Sequence, residues 1–313
     1  MKQESENKKI PARLNDVSRS GGHTTVLLDE TVVGLSLKKG DTVVDATVGT
    51  GGHAEKIARI IGKKGKILAL DADPSSIAIS KNRLSDAPAK IIFVQGNFRN
   101  LKQVAHEAGI ESAEGIVFDL GWHAEQLASG RGLSFNADEP LLMTLSLPAG
   151  ITAKDIIANW EEDDIATLLR EYGEERFAGR IARVIVEARR RHSIETSKQL
   201  ADVVSSAVPA FYRRGRLHPA TRTFQALRIA VNDELNALKD GIKDALSLLS
   251  SGGRVAVISF HSLEDRIVKQ AFRKAEDDKR GLRITKKPIV PNAEERTKNP
   301  RARSAKLRIF QKN

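Results

Sequence analysis

The stretch Asp41-Thr42-Val43-Val44-Asp45-Ala46-Thr47-Val48-Gly49-Thr50-Gly51-Gly52-His53-Ala54-Glu55-Lys56-Ile57-Ala58 decides how this chain is read. Thr42, Val43 and Val44 are β-branched and suit a pleated sheet, and Asp45 ends the apolar run. Gly49, Gly51 and Gly52 then permit a sharp turn and a close backbone approach. From His53 a helix begins, with Ile57, Ala58 and Ile61 at its apolar positions. Strand, glycine loop and helix together form the pattern that cradles nucleotides. A βα turn without a ligand leaves the same trace, because short glycine motifs are weak on their own.

Working outward, Gly22-His23-Thr24-Thr25-Val26-Leu27-Leu28 leads into a small helix ending near Leu35, and His23 caps that helix or lies near a site. Residues 1–20 are rich in Lys, Glu, Asn and Ser and are expected to form a flexible tail. Downstream, Gly65 to Asp71 reads as a second strand closed by an acid, the position that holds ribose hydroxyls in such sheets. Asp71 suits this role better than Asp73, because it closes the apolar run directly. Pro74 opens a helix. Lys90 to Val94 is a third strand, with Gly96-Asn97-Phe98 at its end, where an adenine edge can be read. Gly115 to Asp119 is a fourth, followed by Leu120-Gly121-Trp122. Three strands therefore end in acids, Asp45, Asp71 and Asp119. Ligands of open α/β sheets bind outside the carboxyl ends of strands, so three such acids and the glycine loop point to a nucleoside-type cofactor.

From Ala153 to Ala207 the pattern changes to helices only. Thr152 and Thr196 have the residue type and position of N-caps, and Gly173 marks a stop. Arg176, Arg180, Arg183 and Arg189 to Arg191 make the region basic, as ordinary solvated helix faces or as a surface for the polyanionic partner that the overall charge suggests. It reads as a small helical domain inserted into the α/β domain. A helix from Pro219 carries Phe224, Leu227 and Ile229, with a break expected near Gly241. The sheet resumes with Arg254 to Ser259, followed by Phe260-His261-Ser262-Leu263-Glu264-Asp265. Arg283 to Lys287 and Ala305 to Phe310 are the expected final strand pair. Between them lies the basic turn Asn299-Pro300-Arg301-Ala302-Arg303-Ser304.

The 313 residues are 40% hydrophobic and 29% charged, enough for a large core or a core plus a smaller domain. No apolar run spans a membrane, and the start of the chain is polar rather than signal-like. The absence of cysteine excludes disulfides and thiolate metal sites and suits the cytoplasm. No cluster of His and acids has metal-ligand spacing, so no metal is expected. A net charge of +11 suggests a polyanionic partner.

A nicotinamide cradle and an S-adenosylmethionine cradle look alike at this level, but the former wants its third glycine further into the helix. Here Gly51 and Gly52 are adjacent, and Asp45 is placed to meet a positively charged amino acid moiety. Asp-Leu-Gly-Trp at Asp119 to Trp122 also favours methyl transfer. An enzyme that methylates a base amine needs an acceptor for the NH2 and an aromatic plane for the base, roles open to Asp119 and Trp122. Trp122 can equally be a packing residue.

The chain resembles the ribosomal RNA small-subunit methyltransferase H family, also called MraW. The matching segments are H-T-T-V-L-L-D-E from His23, D-A-T-V-G-T-G-G-H from Asp45, L-D-A-D-P from Leu70, D-L-G with Gln126, and R-G-L-S-F from Arg131. Y-G-E-E-R-F-A-G-R-I-A-R from Tyr172, H-P-A-T-R-T-F-Q-A-L-R-I-A-V-N-D-E-L from His218, V-I-S-F-H-S-L-E-D-R-I-V-K from Val257 and N-P-R-A-R-S-A-K-L-R from Asn299 continue it. The resemblance implies an α/β class I S-adenosylmethionine-dependent methyltransferase, with a Rossmann-like mixed sheet and an inserted all-helical domain at 139–215, flanked by catalytic parts at 21–138 and 216–313. It implies methylation of the exocyclic N4 amine of a cytidine in the decoding region of small-subunit rRNA, on rRNA or a ribosomal particle, and leaves a homodimer open. It places Gly49, Gly51, Gly52, His53, Asp71, Phe98, Asp119 and Gln126 at the cofactor. Asp119, Trp122, His123, His261, Ser262 and Asp265 become candidates for the chemistry, and Arg222 and Arg228 for phosphate contact or packing. Two segments depart from the family pattern. Trp122-His123-Ala124-Glu125 replaces V-S-S-P, and Glu139 to Leu145 replaces G-P-L-D-M-R-M, losing an acid and an arginine. Both fall near the expected base pocket. They keep open two other readings, a cofactor-binding assembly protein without activity and a methyltransferase of another acceptor.

Overall fold

The computed structural model describes residues 25–122, 124–145 and 150–313. The expected tail, His23 and His123 lie outside the described residues. Seven strands form one sheet: β1 (Thr42–Asp45), β2 (Lys66–Asp71), β3 (Lys90–Gln95), β4 (Ala113–Asp119), β5 (Leu249–Ser259), β6 (Gly281–Arg283) and β7 (Lys306–Lys312). Their order is β3-β2-β1-β4-β5-β7-β6. The first five run parallel, and β7 is antiparallel to both β5 and β6. The chain leaves β1 toward β3 and returns to β4 on the other side of β1. The switch point therefore lies between β1 and β4, where open sheets hold ligands. The glycine loop and Asp119 follow those two strands.

The alternation of side chains assigns each strand residue to one of two cores. Val43, Ile67, Ala69, Val117, Ala256 and Ile258 face a cluster completed by α1 (Leu28–Leu35), α2 (Gly52–Ile61) and α3 (Pro74–Arg83). Val44, Leu68, Leu70, Ile116, Phe118, Val255 and Val257 face the opposite cluster. That side is closed by α4 (Leu101–Glu107), α12 (Glu234–Leu248) and α13 (Ser262–Asp277). Burial on both faces explains the nearly continuous apolar runs of the parallel strands.

A third cluster belongs to the helices between the strands. It gathers α6 (Ala153–Asn159), α7 (Glu162–Gly173), α8 (Ala178–Arg189) and α9 (Ser197–Ala207). Both expected threonine caps are present as capping boxes, Thr152 with Asp155 and Thr196 with Gln199. The cluster also takes in Leu133, Leu141 and Met143 before these helices, and Phe224 and Leu227 of α11 (Thr221–Asn232) after them. Its buried residues thus run wider than 139–215. Two short helices remain, α5 (Ala124–Leu127) and α10 (Ala210–Arg213), with α14 (Ala293–Lys298) near the C-terminal end.

Two expectations are corrected. The helix after Pro219 breaks at Asp233, which takes a left-handed conformation (φ 48), and not at Gly241. Gly241 lies within α12, where a Cβ would stand 2.8 Å from Cδ2 of Phe98 and 2.9 Å from its carbonyl oxygen. The glycine serves close approach of helix and turn rather than a break. The final strand pair is Gly281–Arg283 with Lys306–Lys312, shifted from the expected ranges.

Candidate active site at the sheet switch point

The glycine loop fixes the floor of the site. Gly49 (φ 51) and Gly51 (φ 85) occupy left-handed backbone, open to glycine at little cost. Gly49 N–H donates to Asp71 Oδ2 at 2.9 Å, and Asp73 N–H to Oδ1 at 2.9 Å. Loop and second strand are thus held as one piece. Thr47 Oγ1 accepts from Asp119 N–H at 2.6 Å, fastening the loop to the end of β4. Gly52 is needed for contact of another kind, since a Cβ there would collide with Thr25.

Two cavities meet above this floor. The first encloses about 790 Å³ of open space, lined by Gly49, Asp71, Phe98, Asp119, Trp122 and Gln126 together with Asn232, Glu234 and Glu264. Phe98 is braced edge-on against Phe118, with ring centroids 5.6 Å apart. The second cavity holds about 1110 Å³ and opens past Gly52, His53 and Phe260 to Lys298 and Arg301. Thr47, Gly49, Asp119, Gly121 and Trp122 line both.

Asp119 stands where they join. Its Oδ2 faces Nδ1 of buried His53 at 3.7 Å, while Oδ1 is buried without a hydrogen-bond partner among the described residues. Burial pushes this carboxyl up to about 7, with the Gly121 N–H opposing and the nearby Glu264 charge adding to the rise. Gly121 itself is required by Phe260, whose ring a Cβ would meet at 2.6 Å. Trp122 lies beneath the Arg228 guanidinium, 5.1 Å from ring centroid to Cζ, a cation–π contact.

The expected residues divide cleanly by position. Asp71 lines the first cavity. Asp73 is buried instead, capping α3 and pairing with Arg131 at 2.6 Å. Asp45 is corrected: it is 1% exposed, lines neither cavity, and burial pushes its carboxyl up to about 8. Burial thus disfavours its charged form, and Asp45 lies away from the cavities where a charged amine would be met. His261, Ser262 and Asp265 do not line the cleft as expected. His261 caps α13, its Nδ1 accepting from the Glu264 N–H at 3.3 Å. Ser262 donates to Glu174 at 2.5 Å on the exposed side. Asp265 pairs with Arg308 at 2.6 Å and with Lys306. The side chain of this turn that reaches the cavity is Glu264, whose Oε2 accepts from the Phe260 N–H at 2.7 Å. A capping-box reading of His261-Ser262-Leu263-Glu264 would have found it, because the N3 acid turns back toward the helix start.

Arg222 and Arg228 separate as well. Arg222 donates to the Glu174 carbonyl at 2.9 Å. Arg228 lines neither cavity but backs the wall of the first, gripping Glu234 with two nitrogens at 2.8 and 2.9 Å. Glu234, His261 and Glu264 bring ligand-type atoms within 4.8 Å of one another. This corrects the expectation that no His and acids come together in such spacing; Arg228 on Glu234 and the capping contacts of Glu264 and His261 join the group into an internal ion network. Burial raises the Glu234 carboxyl against the pull of Arg228. Glu264 is also opposed by burial, but the hydrogen bond and charge of His261 and the charge of Arg228 hold it below the usual range.

The second departure from the family pattern lies on the wall of the first cavity. Asn232 Nδ2 donates to the Met143 carbonyl and its Oδ1 accepts from the Leu145 N–H, both at 2.8 Å. The segment is held through its main chain, which accommodates changed side chains at Leu142 and Thr144.

The pattern of the MraW methylase family matches residues 20–313. The chain belongs to this family. It is 42% identical over 309 residues to ribosomal RNA small subunit methyltransferase H of Brevibacillus brevis, covering 93% of this chain and 98% of that protein. It is 43% identical to the protein of the same name from Symbiobacterium thermophilum, covering 93% and 96%. Among solved structures, an rRNA methylase from Streptococcus thermophilus is 12% identical, with a TM-score of 0.42 over 91% of this chain and 94% of that one. No described helix is long and apolar enough to cross a membrane.

Proposed function

We propose that the protein transfers the methyl group of S-adenosylmethionine to the exocyclic N4 amine of a cytidine in the decoding region of small-subunit rRNA, acting in the cytoplasm on the RNA or on a ribosomal particle. The observation that carries this reading is Asp119 Oδ1, a buried carboxylate oxygen without a partner at the junction of two cavities. Glycine cradle, acid and aromatic wall fit the cofactor. Gly49, Gly51, Gly52 and His53 would take its amino acid end, Asp71 its ribose, Phe98 its adenine, with Asp119 and Gln126 closing the site. When bound, the cofactor supplies an electrophilic methyl on a positively charged sulfur.

The protein's own task is then orientation and proton removal. A cytosine amine is a weak nucleophile that needs alignment more than activation. Asp119 Oδ1 would accept one amine hydrogen, leaving the nitrogen lone pair free to face the methyl donor, and would take the proton released as the N–C bond forms and the S–C bond breaks, the sulfur leaving as a neutral thioether. Trp122, stiffened by Arg228, offers a face for the flipped base. The Arg228–Glu234 pair and Glu264 fix that wall.

The test is transfer of labelled methyl from S-adenosylmethionine to small-subunit particles or naked rRNA, with nucleoside mass spectrometry of the product. N4-methylated cytidine is expected. Cofactor binding without any labelled cytidine on either acceptor would overturn the proposal.

A further inference from the structure

We propose that Arg301, with Lys298 beside it, is a phosphodiester clamp at the mouth of the second cavity. It seats the backbone of the target strand so that one base reaches Asp119 and Trp122. The inference rests on the proposed methylation of an RNA cytidine and deepens it by assigning the path of the strand.

The two cavities share Asp119 and Trp122 but open in different directions. The first leads toward Asp71 and Phe98, the ribose and adenine positions of the reading above. The second runs past Gly52 and His53, the amino acid end of that reading, and beyond them opens from the carboxylate to a rim of Lys298-Asn299-Pro300-Arg301. Charge is layered along it, with cations at the rim and Asp119 at the floor. A nucleotide carries the matching layout, a phosphate outside and a neutral base inside. Free anions are repelled from the floor, while an amine-bearing base is not.

The rim is rigid. Ala302 and Ala305 are buried in the core below it. Asn299 N–H donates to the Glu295 carbonyl at 2.7 Å, and Glu295 accepts from the Leu27 N–H at 2.8 Å, tying α14 to the start of α1. Of the neighbouring cations, Lys306 and Arg308 pair with Asp265 and Lys298 with Glu294, while Arg303 is exposed but does not line the cavity. Arg301 is exposed and has no ion-pair partner among the described residues. A guanidinium on a fixed turn matches a phosphate bidentately, and such contacts set register while the base pocket sets identity.

The experiment uses the full chain, with Arg301→Gln and Arg301→Lys, because an exposed side chain can be exchanged without disturbing the core. The probes are a single-stranded RNA oligonucleotide containing cytidine and S-adenosylmethionine alone. For Arg301→Gln, RNA affinity should fall about fivefold, and the slope of log affinity against log salt should flatten by about 1. KM for RNA rises, kcat at saturating RNA holds, Arg301→Lys recovers part of the loss, and cofactor affinity does not change. Weakened cofactor binding with RNA binding intact would mean that Arg301 holds the cofactor's carboxylate, overturning the clamp. Unchanged values throughout would overturn it too, leaving a solvated side chain. A wild-type protein that binds RNA through Arg301 but methylates no cytidine would leave the clamp standing and remove the proposed activity.

Discussion

The floor of the site and its wall are built in different ways. The floor consists of strand ends: the glycine loop after β1, Asp71 at the end of β2 and Asp119 at the end of β4, held by the main-chain N–H groups of Gly49, Asp73 and Asp119, the last donating to Thr47 Oγ1. The wall consists of side chains from elements far apart in sequence: Trp122, Asn232, Glu234 and Glu264 line the cavity, and Arg228 braces Trp122 and Glu234. A parallel sheet with register fixed on both faces leaves little freedom for a floor residue to change. A wall supported by ion pairs and main-chain clamps tolerates exchange. Among the described residues, the departures from the family pattern at Trp122 and at Leu142 to Thr144 fall on the wall side. Floor substitutions should therefore abolish chemistry, and wall substitutions should tune it.

The largest expected effect is on the floor. Asp119→Asn keeps the shape and the contact to the Gly121 N–H but loses the proton acceptor, so single-turnover methyl transfer should slow about 10²- to 10⁴-fold. Cofactor binding, followed by calorimetry, should persist. A loss in rate below about tenfold would break the comparison, because the floor would then do no more than the wall. On the wall, Trp122→Ala removes a stacking face worth about 1–3 kcal/mol per base. Its effect should appear in KM for RNA, with Trp122→Phe recovering most of it. A collapse of kcat instead would move Trp122 from base holding to the chemistry itself.

Charge on the floor gives a smaller, graded effect. Asp119 holds a proton below about 7 and is ionised above it. The ionised form attracts the positive sulfur, so S-adenosylmethionine affinity should rise with pH through neutrality, by at most about tenfold per unit, and level off once the carboxylate is formed. S-adenosylhomocysteine has no positive sulfur and should respond much less. Binding curves for the two ligands on either side of neutrality check this. Parallel curves would mean that Asp119 does not face the sulfur.

The floor was legible in the sequence for the same reason that it is rigid. A β-branched run closed by Asp71 or Asp119 states where a strand ends, and strand ends of an open sheet converge at the switch point. The wall was not legible. Glu264 was passed over for His261, Ser262 and Asp265, because a helix start sends consecutive side chains in different directions. The Arg228–Glu234 pair bridges two helices across the left-handed Asp233, a break that the sequence pattern places at Gly241. Position there depends on tertiary packing, which no local spacing encodes.

The smallest effect tests where the wall meets the helical region. Glu174 follows α7 in a left-handed conformation (φ 48) and ties α13 to the helices through Ser262 at 2.5 Å and Arg266 at 2.9 Å. Hydrogen bonds from Ser262 and Arg266 hold its carboxyl below the usual range. A depressed carboxyl contributes stability above its unfolded value that is lost as pH falls through the folded one, so the tie should weaken only on acidification. Glu174→Gln should change stability at neutral pH by less than about 1 kcal/mol, since the pair is exposed. It should also flatten the acid side of the melting-temperature profile. Because Ser262 adjoins the cap of α13, and Glu264 at the third position of that helix lines the cavity, loosening the tie should reach the active site as a modest rise in KM for RNA, with cofactor affinity unchanged. A fall in cofactor affinity as large as that in RNA affinity would show that wall and floor are mechanically one unit, contrary to the division drawn above.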